Sequence, residues 1–347
     1  MIKVAFFDTK VYDSDSFNSQ LDPKRIKMKY FSTKLDEDTA SMAKGYDVVC
    51  AFVNDDLGET VINKLADLGV KLIAMRCAGY NNVDFKTAYK KIHILRVPAY
   101  SPYAVAEHAF ALLLTLNRKT HKAYNRTKEN NFNLNGLTGF DLHGKTFGII
   151  GTGRIGCIVA QIAHGFGMNI LAFDSYPKEI DYIKYVELDE LLAQSDVISL
   201  HCPLTNDTHH IINHDAIKKM KKNVVLINTS RGGLVDAKAL VHALKHEEIG
   251  AAGLDVYEEE ANFFFEDLSA TTVKDDVLAR LLSFNNVLLT SHQAFLTKEA
   301  LSNIASTTLQ NIYDFFDNKE LKNEICYQCK EVGNQKDCAH VVNGRCF

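Results

Sequence analysis

The sequence predicts an α/β protein built from two parallel-sheet domains. Three observations carry this. Continuous apolar runs of strand length alternate with amphipathic runs of helical spacing, the pattern of a parallel sheet covered on both faces. One such run, residues 146–150, passes into glycines and at once into a helical run. Polar residues collect just beyond the carboxyl ends of the later strands, where open α/β sheets bind ligands. A chain of 347 residues is long enough for two domains with proper cores.

In the first hundred residues, strand-like runs fall at 2–7, 26–31, 48–53, 70–75 and 92–97. Helical spacing falls at 60–68, with Val61, Leu65 and Leu68 on one side, and at 85–91. No phosphate-type glycines occur here, so this is a second α/β unit and not another dinucleotide site. Small residues at Cys77-Ala78-Gly79, after a strand, let backbone N–H groups face outward and hold an anion. A plain strand-to-helix turn would look similar.

Residues 105–116 form a mostly apolar helix, too apolar for a surface and expected to be buried between domains or subunits. Glu107 and His108 on it are read as structural, capping or pairing. Residues 118–135 are polar and Asn-rich and mark a crossing between domains.

The run at 146–150 leads into Gly151-Thr152-Gly153-Arg154-Ile155-Gly156, which fits G-x-G-x-x-G. Gly151 allows the sharp turn, Gly153 lets a pyrophosphate approach the backbone, and Gly156 lets the helix pack closely on the sheet. The N–H groups of the first helical turn then face the phosphates. The next strand, 169–173, ends at Asp174, 18 residues after Gly156. A carboxylate there accepts both hydroxyls of an adenosine ribose and repels a 2′-phosphate, so the cofactor reading is NAD over NADP. The competing reading is a glycine-rich turn in some other α/β protein; strand, triplet, helix, strand and acid in register argue against it.

Later strands fall at 196–200, 224–228, 251–254 and 287–290, with helices at 188–194, 216–220 and 236–246 between them. Asp236 stands at a helix cap. The amphipathic helix at 297–316 carries the chain back to the first domain. The expected fold is therefore two Rossmann-like parallel-sheet domains with the active-site cleft between them. One is discontinuous and flavodoxin-like, 1–100 plus 298–347; the other, 101–297, binds NAD. Two crossings make a hinge.

The formal net charge is −4 and no long basic run occurs, which excludes nucleic acid or an anionic membrane as the natural partner. No signal-peptide pattern opens the chain and no apolar run reaches bilayer length; the default expectation is the cytoplasm. Cys50, Cys77, Cys157 and Cys202 read as reduced core thiols. Cys326, Cys329, Cys338 and Cys346 form a C-x2-C-x8-C-x7-C tail. That tail is read first as disordered thiols. Zinc, with His340 as a further ligand, and disulfides in an oxidising place are the alternatives. No metal is assigned to the catalytic site.

Arg231, Asp255 and His292 each follow a strand of the second domain, and Glu258, Glu259 and Glu260 crowd together after Asp255. A guanidinium fits a carboxylate bidentately. A histidine beside a carboxylate is a general acid/base, and a nicotinamide coenzyme supplies hydride. Together they describe reduction of a 2-oxo acid. Taken singly, a surface ion pair, a helix cap and a loop histidine are the plainer readings.

The chain resembles the D-isomer-specific 2-hydroxyacid dehydrogenases, most closely the fermentative D-lactate dehydrogenases, from residue 1 to about 322. The markers are Arg76-Cys77-Ala78-Gly79-Tyr80-Asn81-Asn82-Val83-Asp84, Val97-Pro98-Ala99-Tyr100-Ser101-Pro102, the glycine turn, Asn228-Thr229-Ser230-Arg231-Gly232-Gly233-Leu234-Val235-Asp236, Gly253-Leu254-Asp255-Val256-Tyr257-Glu258, and Ser291-His292-Gln293-Ala294-Phe295-Leu296-Thr297. The tail departs from the family pattern. The resemblance implies reversible, NADH-dependent reduction of pyruvate to D-lactate. A larger 2-oxo acid, such as 2-oxoisocaproate or phenylpyruvate, is the alternative substrate. A nucleotide-sensing corepressor is the alternative class, against which the intact Arg231, Glu260 and His292 argue.

The resemblance also implies roles. His292 is the general acid/base and Glu260 its partner. Arg231 binds the substrate carboxylate and polarises the keto group. The amides of Ala78 and Gly79 hold the carboxylate, Tyr100 approaches it, and Phe295 lines the pocket. Arg154 and Ile155 meet the pyrophosphate, Cys202 and Pro203 the adenosine side, and Asp255 and Thr229 the nicotinamide end. Hinge closure and a homodimer built on the helix at 101–117 are implied too. The aromatic run in Asn262-Phe263-Phe264-Phe265-Glu266-Asp267 either covers the closed cleft or packs in place.

Overall fold

The computed structural model describes residues 1–260, 263–329 and 344–347. Asn262 of the aromatic insert, and Cys338 and His340 of the tail, lie outside the described residues. The chain divides into two compact units, Met1–Ser101 with Thr297–Phe347, and Pro102–Leu296.

The first unit holds strands β1 (Ile2–Phe6), β2 (Ile26–Tyr30), β3 (Val48–Ala51), β4 (Leu72–Met75) and β5 (His93–Leu95), with helices α1 (Val11–Asn18), α2 (Glu59–Asp67) and α3 (Phe85–Ala88). The strands form one parallel sheet in the order β2-β1-β3-β4-β5. Every residue of β3 and β4 is buried, which is why both read as unbroken apolar runs. Arg76, immediately after β4, is 2% exposed. Its Nη2 donates to the Asp8 carbonyl at 2.8 Å, and its guanidinium lies 4.5 Å from the Phe6 ring and 4.6 Å from the Phe52 ring. This marker arginine is part of the unit's core. Burial pushes the nearby Asp55 carboxyl up to about 6, against the opposing pull of Arg76.

The second unit begins with α4 (Pro102–Arg118) and α5 (Thr120–Lys128). Then come β6 (Thr146–Ile150), α6 (Arg154–Gly165), β7 (Asn169–Phe173), β8 (Ile183–Tyr185), α7 (Leu188–Gln194), β9 (Val197–Leu200), α8 (His214–Lys219), β10 (Val225–Asn228), α9 (Ala237–Lys245), β11 (Ala251–Leu254), α10 (Asp276–Ser283) and β12 (Val287–Leu289). Seven parallel strands run in the order β12-β11-β10-β9-β6-β7-β8. The order reverses between β6 and β9, so the topological switch point lies there. The last helix, α11 (Lys298–Phe316), belongs to the first unit and is capped by Thr297, whose hydroxyl accepts the Ala300 amide at 3.2 Å.

The apolar helix α4 packs within its own unit: Ala106, Ala109, Phe110, Leu113 and Leu116 join Phe147, Ile149, Val159 and Ala160 in one cluster. One expectation is corrected: residues 118–135 mark no crossing between domains, since they lie wholly within the second unit, and 120–128 of them are helical, as α5, with no buried residue. Among the described residues no helix is long and apolar enough to cross a membrane.

Candidate active site

At the switch point, Ile150 of β6 pairs with Leu200 of β9, so the turns that follow lie side by side. Gly151 has φ +95°, and a Cβ there would come 2.5 Å from the Cys202 amide nitrogen. A Cβ on Gly156 would come 2.0 Å from the Gly151 carbonyl oxygen. Only glycine permits either contact. Gly153 differs: a Cβ there meets nothing within 4 Å. It faces open space at the start of α6, and no side chain caps the helix there. The amides of Arg154 and Ile155 therefore sit at an uncapped helix N-terminus, the arrangement a pyrophosphate needs. Thr229, just past β10, is 7% exposed, and its hydroxyl is buried without a hydrogen-bond partner. A buried hydroxyl left so is costly unless a ligand completes it. Both observations fit a bound dinucleotide.

Asp174 ends β7. Its Oδ2 accepts the Thr152 amide at 2.5 Å and the Thr152 hydroxyl at 3.0 Å, and its Oδ1 accepts the Tyr176 amide at 2.7 Å. Burial alone would raise its pKa; these hydrogen bonds and Lys178 outweigh it and hold the carboxyl below its ordinary value. Lys178, which the sequence reading passed over, donates to the Thr152 carbonyl at 2.8 Å. Burial pushes the Cys202 thiol up to about 11, so Cys202 is a neutral wall. The Pro203 carbonyl accepts the Thr208 hydroxyl at 2.6 Å.

The acid/base pair forms at the ends of β11 and β12. His292 Nδ1 stands 2.8 Å from Glu260 Oε1. An ionised carboxylate only accepts, so Nδ1 carries the proton and Nε2 is the nitrogen that exchanges one. Glu260 Oε2 accepts the Tyr257 amide at 2.9 Å, which fixes the carboxylate from its other side. The crowded acids separate cleanly: Glu258 Oε1 lies 2.6 Å from His210 Nε2, and Glu260 is the one at His292.

His292 adopts φ +51°, unusual for a residue with a Cβ and held by its surroundings. Asp255 supplies that hold. It has no exposed surface. It accepts the Thr290 hydroxyl at 2.6 Å and the Gln293 and Ala294 amides at 2.9 and 2.8 Å, and its carbonyl accepts the His292 amide at 2.7 Å. His108 Nε2 reaches Thr290 Oγ1 at 3.1 Å. Burial would raise the Asp255 pKa, but hydrogen bonds from His108, Thr290, Ala294 and Gln293 hold it down. The geometry makes Asp255 the anchor of the histidine loop, with His108 and Thr290 behind it. Neither of those two was singled out for the site in the sequence; the signal was a polar pair on an otherwise apolar helix and a hydroxyl at a strand end.

Arg231 follows β10 in extended backbone, and its Nη1 donates to the Ser230 carbonyl at 2.8 Å. Asn228 shapes the turn, its Oδ1 accepting the Ser230 amide and its Nδ2 donating to the Arg231 carbonyl at 2.9 Å. A Cβ on Gly232 would come 2.1 Å from the Tyr257 carbonyl carbon, so the Arg231 turn lies directly against the turn that carries Glu260. Phe295 is buried, Phe264 joins the unit's core, and the Phe265 ring centre lies 6.0 Å from that of His292. Phe263 and Phe265 are half-buried against the same core.

In the first unit, Ala78 and Gly79 are half-buried after β4. The Ala78 carbonyl accepts Arg96 Nη1 at 3.1 Å and the Gly79 carbonyl accepts the Cys77 thiol at 3.3 Å. The Tyr100 carbonyl accepts Asn303 Nδ2 at 2.6 Å.

A phosphate-shaped turn and a carboxylate-held histidine on one sheet edge are the working parts of a dinucleotide-dependent oxidoreductase. The model of the D-isomer specific 2-hydroxyacid dehydrogenase NAD-binding domain matches residues 110–294. The D-lactate dehydrogenase of Escherichia coli is 48% identical over 328 residues, covering 93% of this chain and 100% of that protein. Its apo structure superposes with a TM-score of 0.86 at 46% identity over 93% of this chain and all of that one. The pyruvate reductase of Chlamydomonas reinhardtii gives a TM-score of 0.88 at 44% identity, covering 93% of this chain and 98% of that one. The chain belongs to the D-isomer-specific 2-hydroxyacid dehydrogenases and is an NAD-dependent enzyme of that family.

Proposed function

We propose that the chain reduces pyruvate to D-lactate with NADH, reversibly. The His292–Glu260 pair, fixed at 2.8 Å on the carboxyl edge of a dinucleotide-binding sheet, carries this reading. The names of the relatives favour the lactate branch. Bound coenzyme supplies or accepts the hydride. His292 Nε2 gives the proton to the carbonyl oxygen in reduction and takes it back in oxidation. Arg231 holds the substrate carboxylate and polarises the keto group, and the amides of Ala78 and Gly79 with the Tyr100 hydroxyl receive the same carboxylate. Phe295 closes the pocket wall, and Asp255 keeps the His292 loop in register. Gly151, Gly153, Gly156, Arg154 and Ile155 seat the pyrophosphate, Asp174 the ribose, Cys202 and Pro203 the adenosine side, and Thr229 the carboxamide. A cytoplasmic homodimer completes the proposal, with light scattering as its check.

The test is NADH oxidation followed with pyruvate, 2-oxoisocaproate and phenylpyruvate, then NAD reduction with D- and L-lactate. Pyruvate is expected to lead by about tenfold or more in kcat/KM, the discrimination a pocket of fixed size achieves, and only D-lactate should be oxidised. A larger acid in the lead would move the assignment to a different 2-oxo acid. NADH binding with no turnover on any acid would replace the enzyme by a nucleotide sensor.

Coenzyme choice gives a separate prediction. Asp174→Ser removes a carboxylate that would accept ribose hydroxyls in charge-assisted bonds worth about 1.5–3 kcal/mol. The kcat/KM for NADH should fall about tenfold or more and the preference over NADPH should narrow. Equal use of both coenzymes by the native enzyme would sink the assignment.

A further inference from the structure

The family reading leaves the cysteine-rich tail without a part. Its described cysteines do not lie scattered. Cys326 and Cys346 are buried, and the Sγ atoms of Cys326, Cys329 and Cys346 all lie within 4.8 Å of one another. Two of the separations are 3.6 Å, Cys326 to Cys329, and 3.7 Å, Cys329 to Cys346. A disulfide needs about 2.05 Å and pairs two sulfurs, leaving the third over. Tetrahedral zinc with Zn–S bonds of about 2.3 Å sets its sulfurs about 3.8 Å apart. The observed spacing is that of the metal site.

The scaffold around these sulfurs is built as well. Residues 323–325 run antiparallel along the free edge of β5, the Ile325 amide donating to Ile94 at 2.9 Å and the Arg96 amide to Asn323 at 3.1 Å. The C-x2-C turn closes with the Cys329 amide on the Cys326 carbonyl at 3.0 Å, and the Cys326 amide points at Cys329 Sγ from 3.2 Å. Cys346 is brought in from far along the chain by its own anchors. Its amide donates to Glu324 Oε2 at 2.6 Å, and Glu324 Oε1 lies 2.5 Å from His93 Nδ1. The Leu321 amide donates to the Gly344 carbonyl at 2.8 Å, and Phe347 stacks on His93 with ring centres 4.1 Å apart.

We infer that Cys326, Cys329 and Cys346 bind one zinc ion as thiolates and so fasten the last residues of the chain to the β5 edge of the first unit. The bound ion displaces three thiol protons and leaves one tetrahedral position for water or another ligand. The site is structural, distinct from the NAD-dependent chemistry of the second unit.

The full chain, purified reduced and without chelator, should hold about one zinc per chain by elemental analysis. C326S and C346S should each drop below a tenth of that, while C157S keeps it. Cobalt exchanged into the native protein should give the intense visible bands of tetrahedral cobalt–thiolate coordination, a readout that survives even if the serine variants fold poorly. Chelation should lower the melting temperature, and pyruvate turnover at low temperature should be unchanged. Zinc near zero after incubation with equimolar zinc, full zinc in the serine variants, or octahedral cobalt spectra would each overturn the inference.

Discussion

Replacing His292 by Ala is expected to lower kcat/KM for 2-oxo acid reduction at every pH, on the order of a hundredfold or more, the size of a lost general acid. The companion variant Glu260→Gln tests how the proton is held. Gln keeps the shape between the Tyr257 amide and His292 Nδ1 but removes the charge. Without the carboxylate the ring loses the acceptor that fixes its Nδ1–H and so aims Nε2 at the substrate. The kcat/KM should therefore fall in both reduction and D-lactate oxidation, by less than in His292→Ala. The measurement is kcat/KM in both directions. Native values in both would mean that Glu260 does not position His292, whatever its distance.

The acid assigned to His292 was the point most exposed to error in the sequence, since Glu258, Glu259 and Glu260 are consecutive. Spacing alone does not say which of three neighbours turns inward. The structure separates them because Gly232 lets the Tyr257–Glu258 backbone close in, sending Glu258 to His210 and Glu260 to His292. The buried strands were legible because both faces are covered, which makes β3 and β4 unbroken apolar runs and leaves β9 broken only by Ser199. Helix α5 was not, since no residue of it is buried and no apolar stripe marks it. The three-residue strand β8 is too short to carry a period. His108 was read as a structural histidine. Its partners Thr290 and Asp255 lie far along the chain, and no local pattern encodes a contact of that kind. Gly151 and Gly156 were legible to the single residue because each answers a steric demand within a short stretch, whereas Gly153 faces open space.

The second large effect is expected from Gly232→Ala. The added Cβ would stand 2.1 Å from the Tyr257 carbonyl carbon, 2.2 Å from its oxygen and 2.4 Å from the Glu258 nitrogen. These are backbone atoms, so no rotamer change relieves the contact and one of the two turns must move by an ångström or so. One turn carries Arg231 and the other carries Glu260, which holds His292. Overpacking of this kind costs about 1–3 kcal/mol of stability. A shift of that size between groups that must act on one substrate costs on the order of a hundredfold in rate. The β6–α6 turn is untouched, so NADH affinity, measured by fluorescence titration, should stay near native while kcat/KM for pyruvate collapses. Gly153→Ala is the mirror control. Its Cβ meets nothing within 4 Å, so the fold and melting temperature should hold, and the loss should appear in NADH binding because the methyl fills the space a pyrophosphate would take. Native turnover in a folded Gly232→Ala protein would mean that the placement of Arg231 against the Glu260 turn does not set the rate.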